Sequence, residues 1–286
     1  CANFSAAFQA CTAFNQNITG KAAGVNNSSL LFGTNGNDTG GPGGDMMTVA
    51  NHSDFHFADD DFTIEMWVYI ASQPTRDNSS LFGIANHNGD GPGDGDADGA
   101  IHIYIHSSGN KLYFSYYEAG GTPAGGMFDI DAGINTFTLD TWTHVAAVRD
   151  SDVMRLYVGG VQKDSVAYDK TFGDFGGDVH IAERAYSTGY GNMDGSMDEY
   201  RISNTCRYPD GSTFTPHTTP HVVDANTKFL MRGDSISDVS DTPHTITNSG
   251  VTVSDSENNR STGKWDVSNV TTIAAMFKDC TIWNKN

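Results

Sequence analysis

Between Asp61 and Ile70 the chain reads DFTIEMWVYI, placing Phe62, Ile64, Met66 and Val68 on one side of an extended strand. Period-two alternation suits a pleated strand with one buried face; apolar residues of a helix recur every three or four positions instead. AIHIYIH (Ala100 to His106) repeats the pattern, with Ile101, Ile103 and Ile105 on one face and His102, Tyr104 and His106 on the other. KLYFSYY (Lys111 to Tyr117), THVAAVRD (Thr143 to Asp150) and GSMDEYRIS (Gly195 to Ser203) follow. VMRLYVGGVQ reads as a hairpin around Gly159-Gly160, a good two-residue turn. No long segment carries a helical period. Many short strands joined by polar turns predict a mainly β, two-sheet sandwich or jelly roll.

Composition agrees with strands and turns. The 286 residues include 32 glycines, and 35 acidic against 16 basic residues leave a net charge of −19. Most of the acid is Asp, a turn residue, and Glu is scarce. Such charge repels nucleic-acid phosphates and anionic membranes, and no apolar run is long enough to insert into a bilayer. It suits a calcium-rich or saline medium, or serves solubility alone. The four cysteines allow three pairings, and none forms a C-x-x-C pair, which argues against a zinc site. The first residue, Cys1, is expected to reflect processing or a fragment of a longer chain.

The two ends echo each other. NFSAAFQACTAFNQN (from Asn3) aligns with TIAAMFKDCTIWNKN (from Thr272), setting Phe8 on Phe277, Cys11 on Cys280 and Phe14 on Trp283. TGK recurs beside both, at Lys21 and Lys264. Splicing the chain there leaves the two cysteines about 26 positions apart, a solenoid-like period, as though the middle had been inserted into a repeat array. WDVSNVTTIAAMFKDCTIWNKN and FQACTAFNQNITGK resemble the BspA-like bacterial surface-protein repeats, which stack as leucine-rich-repeat-like units. One or two incomplete units cannot bury their apolar faces alone, so self-association through the ends is expected. Cys11 and Cys280 would then lie one above the other, as buried thiols or as a disulfide.

The middle resembles the laminin G-like, or concanavalin A-like, lectin/glucanase superfamily. The pieces stand in that family's order: SSLLFGTNG, DFTIEMWVY, TWTHVAAVRDSDVMRLYVGG, and GSMDEYRISNTCRY followed by FTPH. TKFLMRGDSISDVSDTPHTITNSGVTV looks like the segment that opens such a domain, yet here it follows it. It either folds back as a circularly permuted first strand or starts another domain. The expected organisation is a partial repeat at 1–21, a jelly roll at 22–258 with 227–254 as the permuted strand, and a second partial repeat at 259–286. RGDS, at Arg232 to Ser235, is expected to be an ordinary strand-end turn.

Two calcium sites are expected. DGDADG carries Asp94, Asp96 and Asp98 at the spacing of a calcium loop, with Asp90 as a further ligand; an acidic flexible turn is the alternative. The family resemblance implies a second site at Asp198. Hydrolysis by a retaining mechanism needs two carboxyl groups about 5 Å apart, and the glucanase Glu run is missing, so no catalytic residue is assigned. Glu65 and Glu199 are expected to pair with Arg149 or Arg201. Sugar binding needs aromatics with polar neighbours, and His102, Tyr104, His106, Tyr113 and Tyr117 are the candidates; the alternative is that this face packs under a loop or forms the inter-sheet core. The functional expectation is a non-catalytic adhesion protein at a cell or virion surface, its repeats building a fibre that displays a calcium-stabilised, lectin-like jelly roll. A lectin module without a polymer role, or a glycoside hydrolase, are the alternatives.

Overall fold

The computed structural model describes residues 28–33, 44–72, 79–85, 100–106, 108–117, 127–169, 171–172, 176–183, 185 and 192–254. Two antiparallel sheets face each other. The back sheet runs β10 (Val161–Ala167), β9 (Val153–Val158), β8 (Thr143–Asp150), β3 (Phe62–Ser72), β12 (Asp194–Ser203), β1 (Ser29–Phe32) and β15 (Thr252–Ser254), with β13 (Thr227–Met231) also paired to β12. The front sheet runs β14 (Ile246–Ser249), β2 (Met46–Val49), β11 (Val179–Ile181), β4 (Ser79–Ala85), β5 (Ala100–His106), β6 (Lys111–Tyr117) and β7 (Met127–Asp131). The fold is the expected two-sheet jelly-roll sandwich.

The alternation read from sequence sorts the faces. Phe62, Ile64, Met66, Val68 and Ile70 of β3 are fully buried in one core with Ile101, Ile103 and Ile105 of β5. Phe62 spans the layers, stacked on Phe57 at 4.5 Å between ring centres and edge-on to Phe114 of β6 at 6.3 Å. Full burial of side chains this size contributes roughly 1.5–3 kcal/mol each, which is why the apolar stripe decides the register.

One irregularity matters for chemistry. Strict alternation through MDEYRIS would send Arg201 into the core, but the β12–β3 register shifts between Asp198 and Arg201, and Glu199 takes φ 52° there. This bulge rephases the strand. Tyr200 and Ile202 now enter the core, and Arg201 comes opposite Glu65 on the outer side.

Residues 227–254 add strands to both sheets: β13 pairs with β12, β14 with β2 and β15 with β1. The segment folds back rather than leaving the sandwich, as a permuted opening strand would. The stretches 1–21 and 259–286, where the repeats were expected, lie outside the described residues, as do Cys1, Cys11 and Cys280. The β9–β10 hairpin turns at Gly159 and Gly160, with φ 60° and 78°. A Cβ on Gly160 would meet the Phe214 carbonyl oxygen at 2.0 Å, so only glycine fits.

Candidate functional site

The outer faces of the two sheets differ. On the front sheet, β5 and β6 pair so that His102 opposes Ser115, Tyr104 opposes Tyr113 and His106 opposes Lys111; β7 adds Asp131 beside Tyr113 and Asp129 beside Ser115. Because the isoleucines fill the core, these side chains share the other side. Their rings form a row: His102 stacks on Tyr104 at 4.6 Å, Tyr104 on Tyr113 at 5.2 Å and 8°, and His106 tilts against Tyr113 at 5.9 Å.

The row is sealed at one end. His102 is 1% exposed and Tyr104 8%. Ser80 sits 2.7 Å from His102 Nε2 and donates to the Glu183 carbonyl at 2.9 Å, anchoring the chain after β11 across this end. Tyr113, His106 and Lys111 at the other end are half-buried. Polar groups surround them. Lys111 Nζ donates to Asp131 Oδ2 at 2.9 Å and lies 5.7 Å from the Tyr113 ring centre. The hydrogen bond to Asp131 raises the Lys111 ammonium, so it stays charged. Partial burial opposes ionisation of Asp131, but the Gly133 amide and Lys111 hold it below the usual carboxylate value. Ser115 Oγ donates to Asp129 Oδ1. An aromatic plane flanked by a cation and carboxylates can stack on a sugar ring and bond its hydroxyls.

The structure thus brings His102, Tyr104, His106 and Tyr113 together and leaves chiefly Tyr113 and His106 toward solvent. The Tyr117 side chain lies outside the described residues. Lys111, Asp129 and Asp131 were not anticipated as members of this face. The signal was there: MFDID alternates, and its two Asp fall on the outer side once β7 is known to pair with β6.

The back sheet's outer face is covered by residues 204–226. Trp67 Nε1 donates to the His217 carbonyl at 3.2 Å, Tyr157 OH to the Tyr208 carbonyl at 3.0 Å, and the Phe214 amide to Gly160 O at 2.9 Å. Arg207 forks onto Asp224 at 3.0 and 2.8 Å, closing the strap on itself. Beneath it, Glu65 is fully buried. Arg201 Nε donates to its Oε1 at 2.8 Å, with a second guanidinium contact; Tyr208 OH donates to Oε2 at 2.5 Å, and His144 Nε2 lies 3.1 Å away. Burial alone would raise the Glu65 carboxyl, yet the His144 bond and the Arg201 charge hold it well below the usual carboxylate range. Burial lowers the neighbouring His221 to about 3 and keeps it neutral, against the pull of Glu65. Glu65 therefore pairs with Arg201, one of its two expected partners. Arg149 instead donates to the Ala58 and Ser151 carbonyls and stacks on Tyr168 and Phe172.

Of the expected calcium ligands, Asp90, Asp94, Asp96 and Asp98 lie outside the described residues. Asp198 is fully buried, and its Oδ1 accepts the amides of Glu199 at 2.8 Å and Gly233 at 2.9 Å. That gives Asp198 a structural task, closing the turn that contains RGDS.

Residues 237–286 match a family described as Mycoplasma protein of unknown function, DUF285; the match overlaps β14 and β15. Among curated proteins, none matches the chain. Of solved structures, a candidate carbohydrate binding protein from Bacteroides ovatus is similar at 14% identity and TM-score 0.53, over 79% of this chain and 59% of that one. The chain thus spans 59% of that protein's length. A heptameric SAP-like pentraxin from Limulus polyphemus is similar at 15% identity and TM-score 0.46, over 81% of this chain and 96% of that one. Mouse laminin alpha1 domains LG4-5 are similar at 14% identity and TM-score 0.41, over 68% and 47%. Residues 40–210, more than half of the chain, match the laminin G type 3 family, and the chain therefore belongs to the concanavalin A-like lectin/glucanases superfamily.

Proposed function

We propose that this chain is a non-catalytic glycan-binding module of an extracellular surface protein, and that it binds sugar with the outer face of β5, β6 and β7. The observation that carries the reading is the stacked Tyr104–Tyr113 pair, whose half-buried end is flanked by His106, Lys111 and Asp131. An aromatic plane held at 8° to its neighbour is preorganised, so little side-chain freedom is lost when a sugar stacks on it. Family membership supports the same reading, and the B. ovatus protein, described as a candidate carbohydrate binder, has the same fold.

The buried Glu65 is committed to Arg201, His144 and Tyr208 under the strap, which favours binding over hydrolysis. Display through terminal repeats, and calcium held by the 90–98 loop, belong to the proposal as well. A glycan array with and without chelator tests it. Saturable binding to a sugar class supports the reading, and chelator sensitivity adds the calcium part. Silence across a broad array removes it.

A further inference from the structure

A second cluster lies where the chain leading into β14 meets the loop after β2. His52, Asp54 and His244 each present one ligand atom, and these atoms lie within 4.8 Å of one another. Asp54 Oδ2 is 3.3 Å from His52 Nδ1 and 3.3 Å from His244 Nε2. The rings of the two histidines stand edge to face, 4.8 Å apart. A cleft of about 410 Å³, lined by residues 49–52 and 242–245, opens beside them.

Hydrogen bonding at the cluster sets the tautomers. Asp238 is fully buried as a side chain; its Oδ1 accepts the Leu230 and Ser240 amides, and its Oδ2 accepts the His244 amide and the Ser240 hydroxyl. Such a carboxylate only accepts, so His244 Nδ1, 2.8 Å from Oδ2, carries a proton. In neutral His244 the lone pair is then on Nε2, facing Asp54. His52 Nδ1 accepts the Asp54 amide at 3.2 Å, so its lone pair also lies on this side. One imidazole nitrogen from each histidine thus stands 3.3 Å from the same carboxylate oxygen, and a cation set among the three would satisfy them together.

We infer that His52, Asp54 and His244 form a site for a tetrahedral divalent transition metal, with Zn²⁺ as its representative. At Zn–N and Zn–O distances of about 2.0–2.2 Å, the edge of a ligand tetrahedron is about 3.3 Å. Both Asp54–His separations match it. The Asp238–His244 pair is the outer carboxylate–histidine arrangement that fixes a ligating imidazole. Lys228 Nζ, 3.8 Å from Asp54 Oδ1, sits on the opposite oxygen and leaves Oδ2 to the metal. The exposed His52 ring has room to close the remaining edge, giving up its amide contact to water. Two nitrogen ligands and one oxygen select a transition metal over Ca²⁺, which takes six to eight oxygens. The lack of paired cysteines bears only on thiolate sites. The other such group among the described residues, Glu65–His144–His221, does not suit a metal, because Arg201 already neutralises its carboxylate.

The test uses the full chain, stripped with chelator and titrated with Zn²⁺ by calorimetry and with Co²⁺ by visible absorption. The expected result is saturable Zn²⁺ uptake, a tetrahedral Co²⁺ spectrum that Zn²⁺ abolishes and Ca²⁺ does not, and loss of both in His52→Ala and His244→Ala. Asp238→Asn should weaken binding by about 10–100-fold. Should His244→Ala fail to fold, His52→Ala decides, because its side chain is exposed. Absent uptake, or uptake unchanged in His52→Ala, would each overturn the assignment.

Discussion

The two sheets carry polar side chains on their outer faces, and they treat them oppositely. The back sheet buries a carboxylate, a guanidinium and two imidazoles beneath a strap, and gives the carboxylate a partner at each oxygen. The front sheet stacks tyrosines and leaves the end of the row at the surface among partly solvated charges. Charges that are buried and matched hold a fold in register, and their removal is expensive. Aromatic planes left at a surface with polar neighbours contribute little to stability and are available to a ligand. The contrast puts structure on the strapped side and, under the proposed reading, recognition on the other.

Breaking the buried charge should have the largest effect. Glu65→Gln leaves Arg201 buried without its counter-charge, and about 3–5 kcal/mol of unfolding free energy should be lost in urea titrations. A loss under about 1 kcal/mol would mean that water already reaches the network.

Acid probes the same region through His221. Its folded pKa of about 3 lies below the ordinary 6.5, so the unfolded chain binds the extra proton first as pH falls. Its contribution is complete above pH 6.5 and is lost progressively between 6.5 and 3. Glu65 acts in the same sense at lower pH, because its depressed carboxyl keeps its stabilisation above the unfolded value and surrenders it below. Thermal melts should therefore fall from pH 7 toward pH 4, and His221→Gln should flatten that slope; equal slopes would exclude His221 as the cause.

Tyr208→Phe is a gentler cut. It removes one donor to a charged acceptor while leaving the ring stacked on Phe214 at 3.6 Å, and about 1.5–3 kcal/mol should go. On the front sheet the effect should move from stability to binding. Tyr113→Ala should weaken glycan affinity by roughly tenfold, about 1.4 kcal/mol, with a melting temperature close to the parent's. Co-ordinate loss of both would place Tyr113 with the structural residues.

Much of the sandwich was legible because alternation is a direct consequence of pleating. DFTIEMWVYI and AIHIYIH declared their buried sides, and Gly159-Gly160 declared its turn. Residues 227–254 left two readings open in sequence, a strand returning to this sandwich or the start of another domain, and only the pairing of β13, β14 and β15 places them here. What could not be read was anything set by long-range pairing. Glu65 meets Arg201 only because a bulge at Glu199 rephases β12. The burial of His102 depends on where the chain after β11 crosses β4, and no local pattern encodes that crossing. His52, Asp54 and His244 meet only because residues 227–254 return to β2 and the loop after it.

The most direct test of the central claim is an NMR titration of the full chain with a glycan selected from the array. Shift changes should centre on Tyr113, His106, Lys111 and Asp131 and vanish in Tyr113→Ala, with the strap residues 204–226 unmoved. Changes centred on that strap, with the Tyr113 face silent, would contradict it.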